Sequence, residues 1–433
     1  MSLIGLRSEL TRLGDNPRFE DIAEAIQRFF VEGTESPEFV PGQTRIPLNV
    51  PTYGAAEVIE ALDSLMSTWV TMGKKVKAFE EMWARYIGQP HGIMTNSGSS
   101  ANLLALTVLG LKSKDQVITP ALTWSTTIFP IAQAGALPVL VDVQRDSYNI
   151  DPQAIEDAIN PRTRVIMVVH LLGNPCNMDA IMDIADRHNL IVLEDCCEAH
   201  GAEYHGKKVG SFGELSTYSF FFSHHISTIE GGMVLTGAHP WADDIRSLRA
   251  HGWVREMSIR DEIAAENPSV DPRFLFATPG YNFRPTEIGG AFGVHQLPRL
   301  EGLVELRREN AAYFNRVLAD YQDYLTLPSE VPETRHSYFA YPITVNEQAP
   351  FTKKELQDYL ESRGLETRPI EGGNMAIQPA MKYVPHLGMK LDNAQYINDN
   401  GFFFGNHQGI GEEQREAIVS YFREFMGGAR CRS

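Results

Sequence analysis

From about residue 46 onward, short apolar runs alternate with amphipathic stretches, and few architectures accommodate that alternation. The runs are HGIMTN, DQVITP, LPVLVDV, TRVIMVVHLL, LIVLEDCC, STYSFFF and GMVLTG. Several are apolar on both faces, as strands must be when helices cover both sides of a mostly parallel sheet. Helices are expected between them at SANLLALTVLG, DPQAIEDAIN and MDAIMDIADRHN, the last two opening on an Asp suited to cap a helix. The fold class is therefore α/β. Residues 46–300 read as a large domain, and residues 301–433 as a small α+β domain built from EGLVELRRENAAYFNRVLADYQDYL, SYFAYPITV, TKKELQDYLESRG and EEQREAIVSYFREFM. Residues 1–45 read as a helical arm ending in the Pro/Gly-rich linker TESPEFVPGQTR. The stretch SIRDEIAAENPSVDPRFLFATPG lacks a regular apolar period and reads as a loop that reaches across a subunit boundary or over a site.

Charge and cysteine content narrow the partners. Asp and Glu outnumber Lys and Arg by 55 to 38, a net charge of −17. That argues against nucleic acid or an anionic membrane surface, both of which reward basic patches. Cys176, Cys196, Cys197 and Cys431 show neither a disulfide framework nor zinc spacing, so a reducing cytoplasm is expected. The start MSLIGLRSELTRL lacks the apolar core of a signal peptide, and no run approaches the ~18 apolar residues of a membrane span.

Five segments carry chemistry. In TNSGSSANLLAL a strand ends, a Gly-containing turn follows and a helix begins, so free N–H groups and the helix dipole meet where a phosphate would bind; Ser97 or Ser99 also reads simply as a helix cap. PALTWSTT places Trp124 in a loop after a strand, where packing is the commoner role of a Trp. In LEDCCEAHG, Asp195 closes an apolar strand, at the end where open α/β sheets put ligand groups. The other two are YSFFFSHHISTIEGG, residues 218–232, and GYNFRPTE, residues 280–287.

Together, in this order, these segments resemble the StrS/DegT-like sugar aminotransferases, pyridoxal-phosphate enzymes of fold type I. The resemblance covers nearly all of the chain from residue 46. It implies a mixed, mostly parallel seven-stranded sheet in the large domain and a homodimer with shared active sites. Carried over residue by residue, it implies Gly98, Ser99 and Ser219 at the cofactor phosphate and Trp124 stacked on the pyridine ring. Asp195 falls at the ring nitrogen, and Glu198 close to the ring hydroxyl. Asn282 is implied to reach the phosphate of the neighbouring subunit's cofactor. Arg284, Arg368, Asn374 and His225 are weaker candidates for substrate contact, and His170 for support behind the site.

The departure from that pattern is the most informative feature. The family places its cofactor-binding lysine five residues after the serine and six before the acid of the glycine turn. Counted from Ser219 and from Glu230, that position is His224. Imidazole cannot form the imine that ties the aldehyde to the protein, yet it moves protons well near neutrality, with an ordinary pKa of ~6.5. This is the pattern of the 3-dehydratases of deoxysugar synthesis, which hold the cofactor non-covalently as pyridoxamine phosphate. One branch adds an iron–sulfur cluster with a close Cys-x-Cys pair after the histidine segment. The corresponding stretch here, HGWVREMS, has no Cys, and no cluster is expected. The cluster-free branch, with its His-His-x-Ser-Thr-Ile-Glu-Gly-Gly run, acts on a GDP-linked 4-keto-6-deoxy sugar and takes its amine from an amino acid such as glutamate. The nucleotide and sugar stay open at this point, as does the choice between an O-antigen and an antibiotic pathway. So does an aminotransferase in which Lys207 or Lys208 substitutes for the missing lysine.

Overall fold

The computed structural model describes residues 3–13, 18–32 and 38–430. Part of the expected linker, residues 34–37, and Cys431 lie outside them. All seven apolar runs form strands: β1 (His91–Thr95), β2 (Gln116–Pro120), β3 (Leu137–Val141), β4 (Thr163–Val169), β5 (Ile191–Asp195), β6 (Leu215–Ser219) and β7 (Gly232–Thr236). Their order is β1–β7–β6–β5–β4–β2–β3. β7 runs antiparallel to β1 and β6, and the other pairs are parallel. Except for β4, whose Arg164 is exposed, every residue of these strands is buried or nearly so, as expected where helices cover both faces.

The sheet gains an eighth, two-residue strand not expected from the sequence. Leu387–Gly388, from the C-terminal part of the chain, pairs with Val139 and Leu140 of β3. The proposed partition at residue 300 is thus crossed. It is crossed again near residue 46, where Ile46 bridges Leu365 and His407 Nε2 meets the Pro47 carbonyl. Residues 301–433 hold a four-stranded antiparallel sheet of Leu325–Thr326, Ala340–Val345, Gly401–Gly405 and Thr367–Pro369. Its aromatic core centres on Phe314, Tyr341, Phe404 and Phe422.

Two local expectations are corrected. The helix Met178–His188 is capped by Asn177, whose side chain accepts from the Ala180 N–H, and not by an Asp. The expected loop 258–280 contains a short helix, Arg260–Glu266. It has no buried residue of its own, and Val254, Met257 and Leu275 form a separate small core beside it. In the arm, helices Leu3–Arg12 and Phe19–Glu32 pack on each other, and the second rests on helix Ala55–Met66. Among the described residues, no helix is long and apolar enough to cross a membrane.

Candidate active site

The C-terminal ends of β1, β2, β4, β5 and β6 converge on a cavity of about 360 Å³, the position that open α/β sheets reserve for ligands. Gly98, Ser99, Trp124, Asp195, Glu198, Ser219 and His224 all line it. No lysine does. Lys208 is held elsewhere by Glu203 and Glu301, at 2.8 and 2.6 Å.

At one end, β1 turns into helix Gly98–Val108. Ser97 caps it by accepting from the Ser100 N–H at 3.1 Å, and the Ser97 carbonyl takes the Ala101 N–H. The Gly98 and Ser99 N–H groups therefore stay free at the positive end of the helix. Gly98 is required by contact: a Cβ there would sit 2.5 Å from the Cβ of Ser219. Gly232 is required likewise, since its Cβ would lie 2.3 Å from the Ser97 carbonyl oxygen. The glycines thus bring β1, β6 and β7 close enough to form a small anion cradle.

Asp195 is 4 % exposed. Its Oδ2 accepts from Asn102 Nδ2 at 3.0 Å and Thr127 Oγ1 at 2.9 Å, and Oδ1 from the Cys197 N–H at 3.2 Å. Every one of these donors is neutral, and among the described residues no cation pairs with it. A buried carboxylate in that condition calls for a cationic partner from the cavity. Trp124, more than half exposed at 56 %, stands at the mouth with its ring unpacked. A free N–H cradle, an open aromatic face and a carboxylate lacking its cation fit the phosphate, ring and protonated nitrogen of a pyridoxal-type cofactor.

His224 follows a tight turn in which its N–H donates to the Phe221 carbonyl. Its ring packs against Phe339 and His200, with centroids 5.4 and 5.7 Å away. Nδ1 is buried without a partner, leaving Nε2 as the nitrogen open to the cavity. Burial, then the charge of Arg307, pushes the His224 pKa down to about 3. The ring is a neutral base.

Other sequence candidates fall elsewhere. His225 is fully buried, its Nε2 against the Ser337 carbonyl at 3.0 Å, and it does not line the cavity. Arg368 points to the surface and pairs with Glu366. Asn374 is buried; it caps the following turn through the Ala376 N–H and binds Gln395, so it holds a loop in place. Asn282 and Arg284 are bonded to each other and line a separate cavity with Trp69, Arg246 and Arg255. His170 is internal support: Nδ1 accepts from the Cys176 N–H, so Nε2 carries the proton and faces Glu194 at 3.1 Å. Burial raises the thiol pKa values of Cys176, Cys196 and Cys197, which marks them as unreactive.

Among the cavity residues not singled out from sequence, three bear on its carboxylates. Asn102 and Thr127 fix Asp195 from two helices, and Glu371 contacts Glu198. Asn102 and Thr127 stand inside segments already noted, and Glu371 lies between the candidates Arg368 and Asn374; a Glu before Gly-Gly was the available signal for it.

The fold and cavity define a fold type I pyridoxal-phosphate protein whose lysine position is occupied by histidine. The chain matches the DegT/DnrJ/EryC1/StrS aminotransferase family over residues 51–423 and belongs to it. It is 38% identical over 373 residues to GDP-4-keto-6-deoxy-D-mannose 3-dehydratase of Yersinia pseudotuberculosis, covering 84% of this chain and 94% of the relative. The Escherichia coli enzyme of that name, solved with bound hydrated PLP, superposes with a TM-score of 0.81 at 35% identity, covering 88% of this chain and 100% of the other. A dTDP-4-dehydro-2,6-dideoxy-D-glucose 3-dehydratase of Saccharopolyspora spinosa is 34% identical over 429 residues, covering 95% of this chain and 93% of the relative.

Proposed function

We propose that this protein is a pyridoxamine-phosphate-dependent 3-dehydratase of a nucleotide-linked 4-keto-6-deoxy sugar. The observation that carries the reading is the cavity itself, which has a neutral, buried His224 in its lining and, among the described residues, no lysine. Gly98, Ser99 and Ser219 would hold the phosphate, Trp124 the ring face and Asp195 the ring nitrogen. When bound, the cofactor supplies an amine that condenses with the ketone and a ring that takes up the electron pair released by proton removal. His224 moves that proton through Nε2, held in place by Phe339 and His200. A lysine at this position would be long and flexible enough to carry the proton on to the sugar carbon and complete transamination. The shorter, fixed imidazole lets loss of the neighbouring C3 hydroxyl win.

The 38% identical relative favours a GDP-linked substrate, and the 34% identical one makes dTDP the alternative. An amino acid, glutamate in our reading, restores the amine. Asn282 and Arg284 lie outside the His224 cavity of their own chain; we assign them to the site of a second subunit in a cytoplasmic homodimer. The test is mass spectrometry of products from GDP-, CDP-, dTDP- and UDP-4-keto-6-deoxy sugars with glutamate and no reductase. Release of ammonia with a 3-deoxy product from the GDP sugar is the expected result. A 4-amino sugar, or a strict need for iron and NAD(P)H, would overturn it.

A further inference from the structure

Elimination needs an acid as well as a base. Breaking the C3–O bond sends an electron pair to oxygen, and hydroxide is a poor leaving group unless a proton arrives with it. His224 is a weak store for that proton, because nothing near it stabilises its charged form. Burial and Arg307 both oppose it, and no carboxylate is bonded to it.

A second pair of groups in the same cavity has the opposite character. Glu198 and Glu371 touch through their carboxyl groups, and both line the cavity. Glu198 Oε2 accepts the Leu172 N–H at 2.8 Å, its one backbone donor among the described residues. Among the described residues, no lysine, arginine or histidine forms an ion pair with either. The groups that face the pair are Asp195, whose charge opposes ionisation of both, and the protonated Cys197 thiol. Two contacting carboxyls with no cation hold one proton between them.

Left-handed backbone flanks this contact on both sides. Leu172 and Glu371 both have left-handed conformations, φ 52° and 45°, which cost a residue with a Cβ on the order of 1 kcal/mol each. Gly372 then seats the Glu371 loop: its N–H donates to the Thr123 carbonyl, and a Cβ at 372 would lie 2.7 Å from that oxygen. Strain on both sides of one carboxyl contact, closed by a glycine, marks a built site.

Resting on the dehydratase reading, we infer that Glu198 and Glu371 form a one-proton dyad and that Glu371 is the general acid for the departing C3 hydroxyl. The step balances. His224 gains one proton from carbon and the dyad gives one to the leaving oxygen; the C–O bond breaks and water departs. The proton on His224 returns the dyad to its starting state as product leaves.

A substrate whose leaving group needs no acid separates chemistry from structure. Glu371→Gln should reduce turnover of the 3-hydroxy substrate by ~10²–10⁴-fold while releasing fluoride from the 3-deoxy-3-fluoro analogue within a few-fold of wild type. Equal impairment on both substrates, or none on either, would overturn the acid role. Glu198→Gln keeps an acceptor for the Leu172 N–H but removes the neighbouring charge. Its alkaline loss of activity should shift to lower pH, and an unshifted profile would contradict the dyad. A readout without turnover is available in the holoenzyme labelled with ¹³C at glutamate carboxyls. The Glu198 and Glu371 carboxyls should report one shared titration in wild type, and the Glu198 titration should shift in Glu371→Gln; two independent titrations in wild type would also overturn the proposal. If the wild type eliminates neither water nor fluoride, the dehydratase reading fails along with it.

Discussion

Glu194 and Asp195 are neighbours at the end of β5, yet they meet opposite environments. A strand turns successive side chains to opposite faces. Glu194 turns away from the cavity and is saturated: the N–H groups of Gly210, Phe212 and Gly213 all donate to it, and His170 faces it with a defined tautomer. Asp195 turns into the cavity and receives neutral donors without a cation. The histidines repeat the contrast. His170 uses both ring nitrogens on protein partners, whereas His224 leaves one orphaned and one open. Burial does not separate the structural pair from the functional one. Unfilled bonding capacity does.

The sharpest way to break this contrast is at His224. His224→Asn should retain the cofactor and lose ~10²–10⁴-fold in turnover, measured in single-turnover assays; His224→Lys should instead acquire a covalent attachment and lose dehydration. Asp195→Asn comes next. A carboxylate partner shifts a neighbouring pKa by ~1–3 units, so its loss should cut the protonated-ring population and the rate by roughly ten- to a thousandfold; the amide also faces a donor on either side, so some stability is lost with it, but the chain still folds. Glu194→Gln should reverse the pattern, because an amide turns an N–H toward donors that need an acceptor. Stability should fall by about 1–3 kcal/mol in urea titrations, and cofactor affinity should hold. Trp124→Ala is the mildest, weakening cofactor binding by roughly two- to tenfold in fluorescence titrations.

Protonation provides a further check. With its pKa held at about 3, against an unfolded value of ~6.5, His224 binds its proton more readily in the unfolded chain. Its share of stability is therefore complete above about pH 6.5 and is lost as pH falls toward 3. The ¹⁵N shifts of its ring should show a neutral imidazole at pH 5, where a solvent-exposed histidine is already mostly charged. A midpoint near the ordinary value would place the ring in water, not in the site described.

Much of this was legible beforehand, and the reason is physical. Several of the seven strands are apolar on both faces, as a doubly covered sheet requires, and the helix beginning at Gly98 announced itself through a turn and a cap. His224 was readable because its position is fixed by spacing from Ser219 and Glu230. Contacts made across the fold were not readable in the same way. Asn102 and Thr127 sit within helical segments, and nothing local says that both turn toward Asp195. Arg307 is buried with Nε and Nη2 unpaired, inside a stretch, LRRENAA, in which charged and polar residues outnumber the one large apolar side chain. Glu371 owes its role to a left-handed backbone that a Glu seldom adopts, and the substrate candidates drawn from the same segment, Arg368 and Asn374, point elsewhere.

The central claim is that a histidine replaces the lysine, so the cofactor is held without a covalent bond. Borohydride reduction of the pyridoxal-phosphate-loaded protein, followed by intact mass and peptide mapping, tests it most directly. The account predicts an unmodified chain mass after denaturation for wild type and a stable adduct at position 224 for His224→Lys. A reduced adduct on any lysine of the wild-type chain would contradict it.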